Sequence, residues 1–414
     1  MRIKYSQILN ILFVITISII ALSSQNIVDI DTLFVDGVIC IYLILYVLSQ
    51  NTVIRIKKKY AGSDMTKIFV VPWMIILIYS LSVQVLRHMT FDYIQHSIML
   101  SGRMILYMLF VRVCYEKLRD HISIYLLRVL IICYIPSVLK HFMEYGIYNG
   151  LKILFSEEAS FAGLALEVHQ LSYIFGFLAV YFLFMHIYQG RYKSESLKYF
   201  WVSFIFMLLG VKRIATAATI VCIFILYIFK ILSKISTKKA FKVALFGAFM
   251  MCPIAILYVS FIRNGQFENI LNLYHINSMS RLNFWNYFRN RYDISWKFMG
   301  YGISFSHRAM SNEYMYIQRL GHATNLHNDV LGIYMGLGFV GSILYWYWFF
   351  YYRCKKVGQK SLQAGIFCFI ILLNYFIGFM VSNGGLNPFN NAIVCLLVMV
   401  CMNTEFMERK EEIC

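Results

Sequence analysis

Apolar runs of roughly 17 to 22 residues recur from one end of this chain to the other, each long enough to cross a hydrocarbon layer about 30 Å thick. Hydrocarbon offers no water to an amide group, so such runs must be helices that pair their own backbone. Composition agrees. The 414 residues are 60% hydrophobic and 14% charged, against about 25% charged in a soluble globular domain. A soluble enzyme is excluded, and the expected fold is an all-α polytopic membrane protein. The apolar windows lie near 8–23, 33–49, 68–86, 97–113, 122–142, 170–188, 197–211, 214–232, 243–262, 329–350, 362–381 and 389–403, about twelve transmembrane helices.

Basic residues set the orientation. There are 38 Lys and Arg against 20 Asp and Glu, a net charge of +18. They collect in alternate connections: Arg55, Lys57, Lys58, Lys59 and Lys67 after the second window, Lys117 and Arg119 after the fourth, Arg191, Lys193 and Lys198 after the sixth. Lys234, Lys238, Lys239 and Lys242 follow the eighth, and Arg353, Lys355, Lys356 and Lys360 the tenth. The connections 24–32, 87–96 and 382–388 hold almost no Lys or Arg, so the positive-inside rule puts both termini in the cytoplasm. The excess charge is therefore a topology signal, and no nucleic acid is expected as a partner. The ten cysteines fall within apolar runs or beside basic segments without a CxxC pair, and are expected to act as small apolar residues. The aromatic run Tyr345–Tyr352 ends a window beside basic residues, which predicts an interfacial belt.

One connection is out of scale with the rest. Residues 263–328 form a large extracytoplasmic loop between helices 9 and 10, dividing 1–262 (helices 1–9) from 329–414 (helices 10–12 and a short cytoplasmic tail). Its many aromatics allow it to fold against the membrane helices. Within it, Leu282, Trp285, Phe288 and Arg289 stand at helical spacing, with Ser278 or Ser280 as the expected cap. Arg281, Arg289 and Arg291 are free to bind anions on the outside. A second outside segment, near 143–169, carries Glu167 and His169 at the edge of a window, where ionisable groups are costly unless partnered. Among potential ligands no metal-binding cluster stands out, and no metal or cofactor is expected.

The loop ends in Thr324-Asn325-Leu326-His327-Asn328-Asp329, followed by Gly336, Gly338 and Gly341, which are spaced for close helix packing. His327, Asn328, Gly338 and Gly341 resemble the signature of the O-antigen ligase and Wzy polymerase superfamily. Ser280-Arg281-Leu282-x-x-Trp285 is similar to that family's (S)R-x-x-x-W element, and Gly300-Tyr301-Gly302 to its G-x-G turn. Lys212-Arg213 stands where the family has a Ser-Arg step, with Lys in place of Ser.

The resemblance implies a glycosyltransferase of the bacterial cell membrane that joins undecaprenyl-diphosphate-linked oligosaccharide repeat units into capsular or O-antigen polysaccharide at the outer leaflet. A ligase of the same superfamily is the alternative, and a chain-length regulator and a flippase of the pathway are the implied protein partners. Such a reaction needs an anion cradle, a base for the acceptor hydroxyl and a groove for a lipid tail. Arg213 and Arg281 suit the cradle because a guanidinium forks onto phosphate oxygens, with Lys212 beside them. Arg213, opening a helix, adds that helix's N-terminal amides. His327 suits the base, since histidine titrates near neutrality. Asn328 and Asn325 would orient it or bind sugar hydroxyls, Asp329 would cap the following helix, and Glu167 and His169 complete the set. A lipid-linked-glycan flippase is a rival from another class; it would be expected to show related halves, and no internal repeat is evident.

Overall fold

The computed structural model describes residues 5–23, 30–50, 66–118, 121–154, 169–188, 193–210, 212–274, 281–312, 326–381 and 386–411. Among these the regular elements are all helical. The first five are α1 (Tyr5–Ser23), α2 (Thr32–Gln50), α3 (Thr66–Leu86), α4 (Phe91–Leu118) and α5 (Ile122–Tyr145), followed by a short amphipathic α6 (Ile147–Leu154). Next come α7 (His169–Tyr188), α8 (Lys193–Leu209), α9 (Arg213–Ile235) and α10 (Thr237–Arg263). The loop region contributes α11 (Gln266–Leu273), α12 (Arg281–Phe288) and α13 (Phe305–Asn312), and the chain closes with α14 (Asp329–Gly358), α15 (Leu362–Val381) and α16 (Pro388–Glu411). Eight of the twelve windows coincide with helices long and apolar enough to cross a membrane. The other four coincide with α1, α2, α8 and α16, whose apolar stretches are shorter. The chain is a multi-pass membrane protein.

Every residue of α7 from Leu171 to Met185 is buried, so this helix is the axis of the bundle, with α8, α9 and α15 packed on it. The outer helices turn large apolar groups outward: Ile75 and Ile78 on α3, Phe224 and Ile231 on α9, Phe246 and Leu257 on α10 are all exposed. In lipid such faces cost nothing, and packing is left to small groups and hydrogen bonds between helices. Asn374 of α15 donates to the Thr219 hydroxyl of α9 at 3.4 Å. Thr219 is six residues after the start of α9, so this bond sets the N-terminus of α9 at the same end of the bundle as the C-terminus of α15.

The long connection does not stay outside the helices. Residues 298–304 descend between α3 and α14 as a re-entrant hairpin. The Tyr301 and Gly302 amides donate to the Met335 and Gly336 carbonyls at 2.9 and 2.8 Å, and the Phe339 amide donates to the Phe298 carbonyl at 2.9 Å. These carbonyls are available because α14 breaks at Gly338, where φ is 69° and ψ is −171°. At about 1.5 Å of rise per residue the break is about 13 Å below Asp329, well inside a membrane. The remaining polar groups find partners on α3 and α4. The Tyr79 hydroxyl donates to the carbonyls of Met299 (2.8 Å) and Leu337 (3.1 Å), and Ser80 accepts from the Ile303 amide at 3.2 Å. Ser97 bridges Gln84 (2.8 Å) and Ser304 (2.9 Å). Irregular backbone at membrane depth is tolerated only when protein satisfies it in this way.

Two expectations change here. Gly336 and Gly338 do not pack helix on helix but admit the hairpin backbone: a Cβ on Gly338 would lie 2.2 Å from the Phe298 carbonyl oxygen, and one on Gly300 2.4 Å from that of Gly336. Gly300 also has φ +82°, a region side-chain-bearing residues avoid. The aromatic run 345–352 is not an interfacial belt. Tyr347–Tyr352 is a π-helical turn, and Tyr345, Trp346, Trp348, Phe349 and Phe350 point into the core. Just beyond it Arg353 is 1% exposed, its guanidinium carbon 4.0–4.5 Å from the ring centroids of Trp348, Phe69 and Phe349. Its Nε and Nη2 have no hydrogen-bond partner among the described residues. Within the π turn Trp348, Phe349 and Phe350 are buried, while Tyr347 is exposed and Tyr351 and Tyr352 are half-buried. Gly338→Ala should cost about 3 kcal/mol or more, from left-handed strain plus overpacking against backbone. A lowered melting temperature in detergent, larger than that for Gly341→Ala, checks it.

Candidate functional site

The site is built around the turn Leu326-His327-Asn328 at the head of α14. His327 is half-buried and has φ +50°, one of two non-glycine residues in the left-handed region among the described residues. Left-handed backbone costs a side-chain-bearing residue about 1–2 kcal/mol and persists where the surroundings over-determine it. They do so here from both sides. Before His327, the indole Nε1–H of Trp285 on α12 donates to the Leu326 carbonyl at 3.1 Å. After it, the Asn328 side chain caps α14, its Oδ1 accepting from the Leu331 amide at 3.0 Å. The Asn328 Nδ2 donates to the Tyr258 hydroxyl on α10 at 3.0 Å, and Tyr258 in turn donates to the Met380 carbonyl of α15. The turn that carries His327 is thus tied to four helices.

The anchoring tryptophan has its own support. The rings of Tyr258, Phe267 and Trp285 run in sequence, 5.5 Å between successive centroids, from α10 through α11 to α12. Arg289 pairs with Glu268 at 3.3 Å, holding the end of α12 to α11. This uses an arginine that the sequence left free for anions. Arg291 is likewise engaged, donating to the Tyr287 hydroxyl at 2.6 Å. Burial pushes the Tyr292 phenol above its usual range, and the nearby Arg263 and Arg289 charges oppose the shift.

Asn328 is fully buried and its amide is spent on protein partners, so it holds the turn and presents nothing to a sugar. Asp329 is not the cap, because Asn328 occupies that position; its carboxylate accepts from the Leu386 amide at 3.1 Å and fastens the start of α14 to the segment before α16. Arg213 opens α9 and is exposed, while Lys212 precedes it in extended conformation and is half-exposed. The N-terminus of α9 shares the bundle end with the C-terminus of α15, where Tyr258 and Asn328 also meet, so Arg213 and His327 stand at one end of the molecule. His169 opens α7, and Arg281 opens α12 one turn before Trp285; their side chains lie outside the described set. Asn325, Glu167 and the cap candidates Ser278 and Ser280 lie outside the described residues. Among the described residues no three His, Cys, Asp or Glu side chains converge as metal ligands.

Several participants were not singled out in the sequence. Tyr258 sits within an apolar run and carries no motif. Ser80 and Gln84, four residues apart on α3, do form a polar face on an otherwise apolar helix, a signal of a buried polar partner that could have been read.

A family model described as O-antigen ligase matches residues 198–346, from α8 through the hairpin to Trp346 of α14. No curated protein and no solved structure matches the chain. Trp285→Phe keeps the ring packing but removes the bond to Leu326, and Asn328→Ala removes the cap and the link to Tyr258. Each should cost about 1–3 kcal/mol. Chemical denaturation in detergent micelles measures it, with the larger loss expected for Asn328→Ala.

Proposed function

Because residues 198–346 match the O-antigen ligase family and support membership in the O-antigen ligase/polymerase superfamily, we propose that this chain is a membrane glycosyltransferase that joins lipid-linked oligosaccharide units into a polysaccharide. Members of that family are membrane glycosyltransferase-like enzymes acting on lipid-linked saccharides. The proposed donor is an oligosaccharide on undecaprenyl diphosphate, the acceptor a second such unit, and the setting the outer leaflet of a bacterial cell membrane. The product is a capsular or O-antigen type chain.

The observation that carries the reading is the His327 turn. A strained, half-buried histidine is held by Trp285 on one side and Asn328 on the other, at the same bundle end as the exposed Arg213. Strain maintained by this much surrounding structure is characteristic of functional sites. In the proposed step His327 accepts the proton of the acceptor hydroxyl as its oxygen attacks the anomeric carbon of the donor. The bond from that carbon to the diphosphate oxygen breaks, and polyprenyl diphosphate leaves with the electron pair. Arg213 and Arg281, with Lys212 nearby, bear the charge that gathers on the leaving diphosphate, and the free amides at the start of α9 assist. Attack from the face opposite the leaving group inverts the anomeric centre. Asn325, Glu167 and His169 are assigned to the saccharide side of the site, while Asn328 acts by holding the turn. A flippase and a chain-length regulator would supply the unit and limit the product.

The description of the matched family favours a second reading, in which the acceptor is a separate glycolipid and one finished chain is transferred once. Purified protein given a single lipid-diphosphate-linked repeat unit separates the two. A ladder of lengthening glycans is expected from wild type. Transfer only to an added glycolipid would establish the ligase, and movement of substrate between leaflets without new glycosidic bonds would sink both. His327→Ala should lower the rate by about 10²–10⁴-fold, the usual worth of a general base. Arg213→Ala should lower it with an unchanged melting temperature, because the side chain is exposed.

A further inference from the structure

At the outer end of α3 stands a cation placed against the charge pattern of the chain. The 87–96 connection is one of those nearly devoid of Lys and Arg, yet it opens with Arg87, which is exposed. Its guanidinium carbon is 4.3 Å from the centroid of the Tyr301 ring and 6.0 Å from that of Phe298. Both rings belong to the re-entrant hairpin. Tyr301 is itself fixed at three points: its amide donates to α14, its hydroxyl donates to the Arg291 carbonyl at 2.8 Å, and its ring stacks on Phe305 at 4.2 Å.

Arg103, Arg112, Arg263, Arg289 and Arg308 each have a carboxylate partner. Arg87 has none among the described residues. The contact with a ring face satisfies the charge in part but leaves N–H donors that need acceptors. Arg87 directly follows Leu86, the last residue of an apolar span, and so lies at the level where lipid phosphates sit. Val85 and Leu86 beside it are 64% and 67% exposed, a wall open to the bilayer. A second cation without a carboxylate among the described residues, Lys297, is exposed immediately before Phe298, whose ring Arg87 faces, and its Nζ is 5.7 Å from the Trp296 ring. Two cations on the two sides of that ring suit two linked phosphates better than a single phosphodiester.

We propose that Arg87, braced by the Tyr301 ring and assisted by Lys297, binds the diphosphate of a lipid-linked saccharide arriving sideways from the bilayer at the mouth of the hairpin. This rests on the glycosyl-transfer reading above but concerns residues outside the turn that carries His327. Arg87 also lies outside the matched stretch 198–346, while the hairpin that braces it lies inside.

The test is binding of polyprenyl diphosphate, without sugar, in phosphatidylcholine nanodiscs to the full-length protein carrying Arg213→Ala, which weakens the cradle assigned to the reaction. Every further variant is made in that background, which serves as the wild type. Arg87→Ala should weaken binding at least about tenfold, the worth of a charge-assisted hydrogen bond, with Arg87→Lys intermediate, melting temperatures unchanged and His327→Ala binding like wild type. Arg87→Gln, which keeps much of the side chain's bulk, serves if the alanine variant is unstable. Equal affinity for wild type and a folded Arg87 variant would overturn the proposal. So would displacement of the diphosphate by phosphatidylglycerol nanodiscs at comparable concentration, which would mark an ordinary headgroup contact. Absence of binding to wild type would overturn the site whatever the glycan assay gives. Arg87-dependent binding without any glycan ladder would instead leave the site standing and remove the reaction.

Discussion

A backbone that leaves helical geometry inside a bilayer has to find protein for every amide and carbonyl it exposes, and the end of this molecule that carries the His327 turn is arranged around that demand. The hairpin at 298–304 and the break at Gly338 answer each other: the broken helix offers carbonyls to the hairpin, and the hairpin returns one to Phe339. Neither is affordable alone. Tyr79, Ser80, Gln84 and Ser97 complete the set from α3 and α4, which makes two early helices part of the support for a late loop.

That arrangement supports the left-handed turn at His327. The loop is held from below by the hairpin and from the side by the aromatic series Tyr258, Phe267 and Trp285. Charges that look available in the chain are divided by it into two kinds. Arg289 fastens the end of α12 to α11, and Arg291 is engaged by the Tyr287 hydroxyl of α12 itself. Arg213 and Arg87 stay exposed, each at the end of an apolar span.

The helices were legible in the sequence because a membrane imposes a length, and the length leaves a plain mark in the run of apolar residues. The break in α14 was not, since Gly336 and Gly338 fit close helix packing as well as they fit an intruding backbone; only the neighbour decides, and the neighbour comes from a segment whose aromatics and basic residues suggest the outside. The aromatic run 345–352 was misplaced for a related reason. An aromatic run beside basic residues reads the same whether its rings meet lipid headgroups or a packed core, and here neighbouring helices cover five of the eight. The turn at His327 could be located by resemblance, but its geometry depends on Trp285 and Tyr258, remote in sequence and without a motif. Arg87 stands out in the chain only as one exception to the charge pattern, and a single residue of that kind carries no motif.

The buried guanidinium of Arg353 gives α14 a property that the rest of the bundle lacks. Arginines at a helix end ordinarily slide with the headgroups, adjusting the depth of the helix to the lipid. This one is enclosed by Phe69, Trp348 and Phe349, while the opposite end of the helix is capped and tied by Asn328. Between the two fixings lies about 36 Å of helix, broken at Gly338 and widened by the π turn at Tyr347–Tyr352. A rod held at both ends drifts less to suit a thinner or thicker hydrocarbon layer, so mismatch is taken up by tilt or at the Gly338 break. That break is where the hairpin engages, so any such adjustment falls among the hydrogen bonds a few turns below His327.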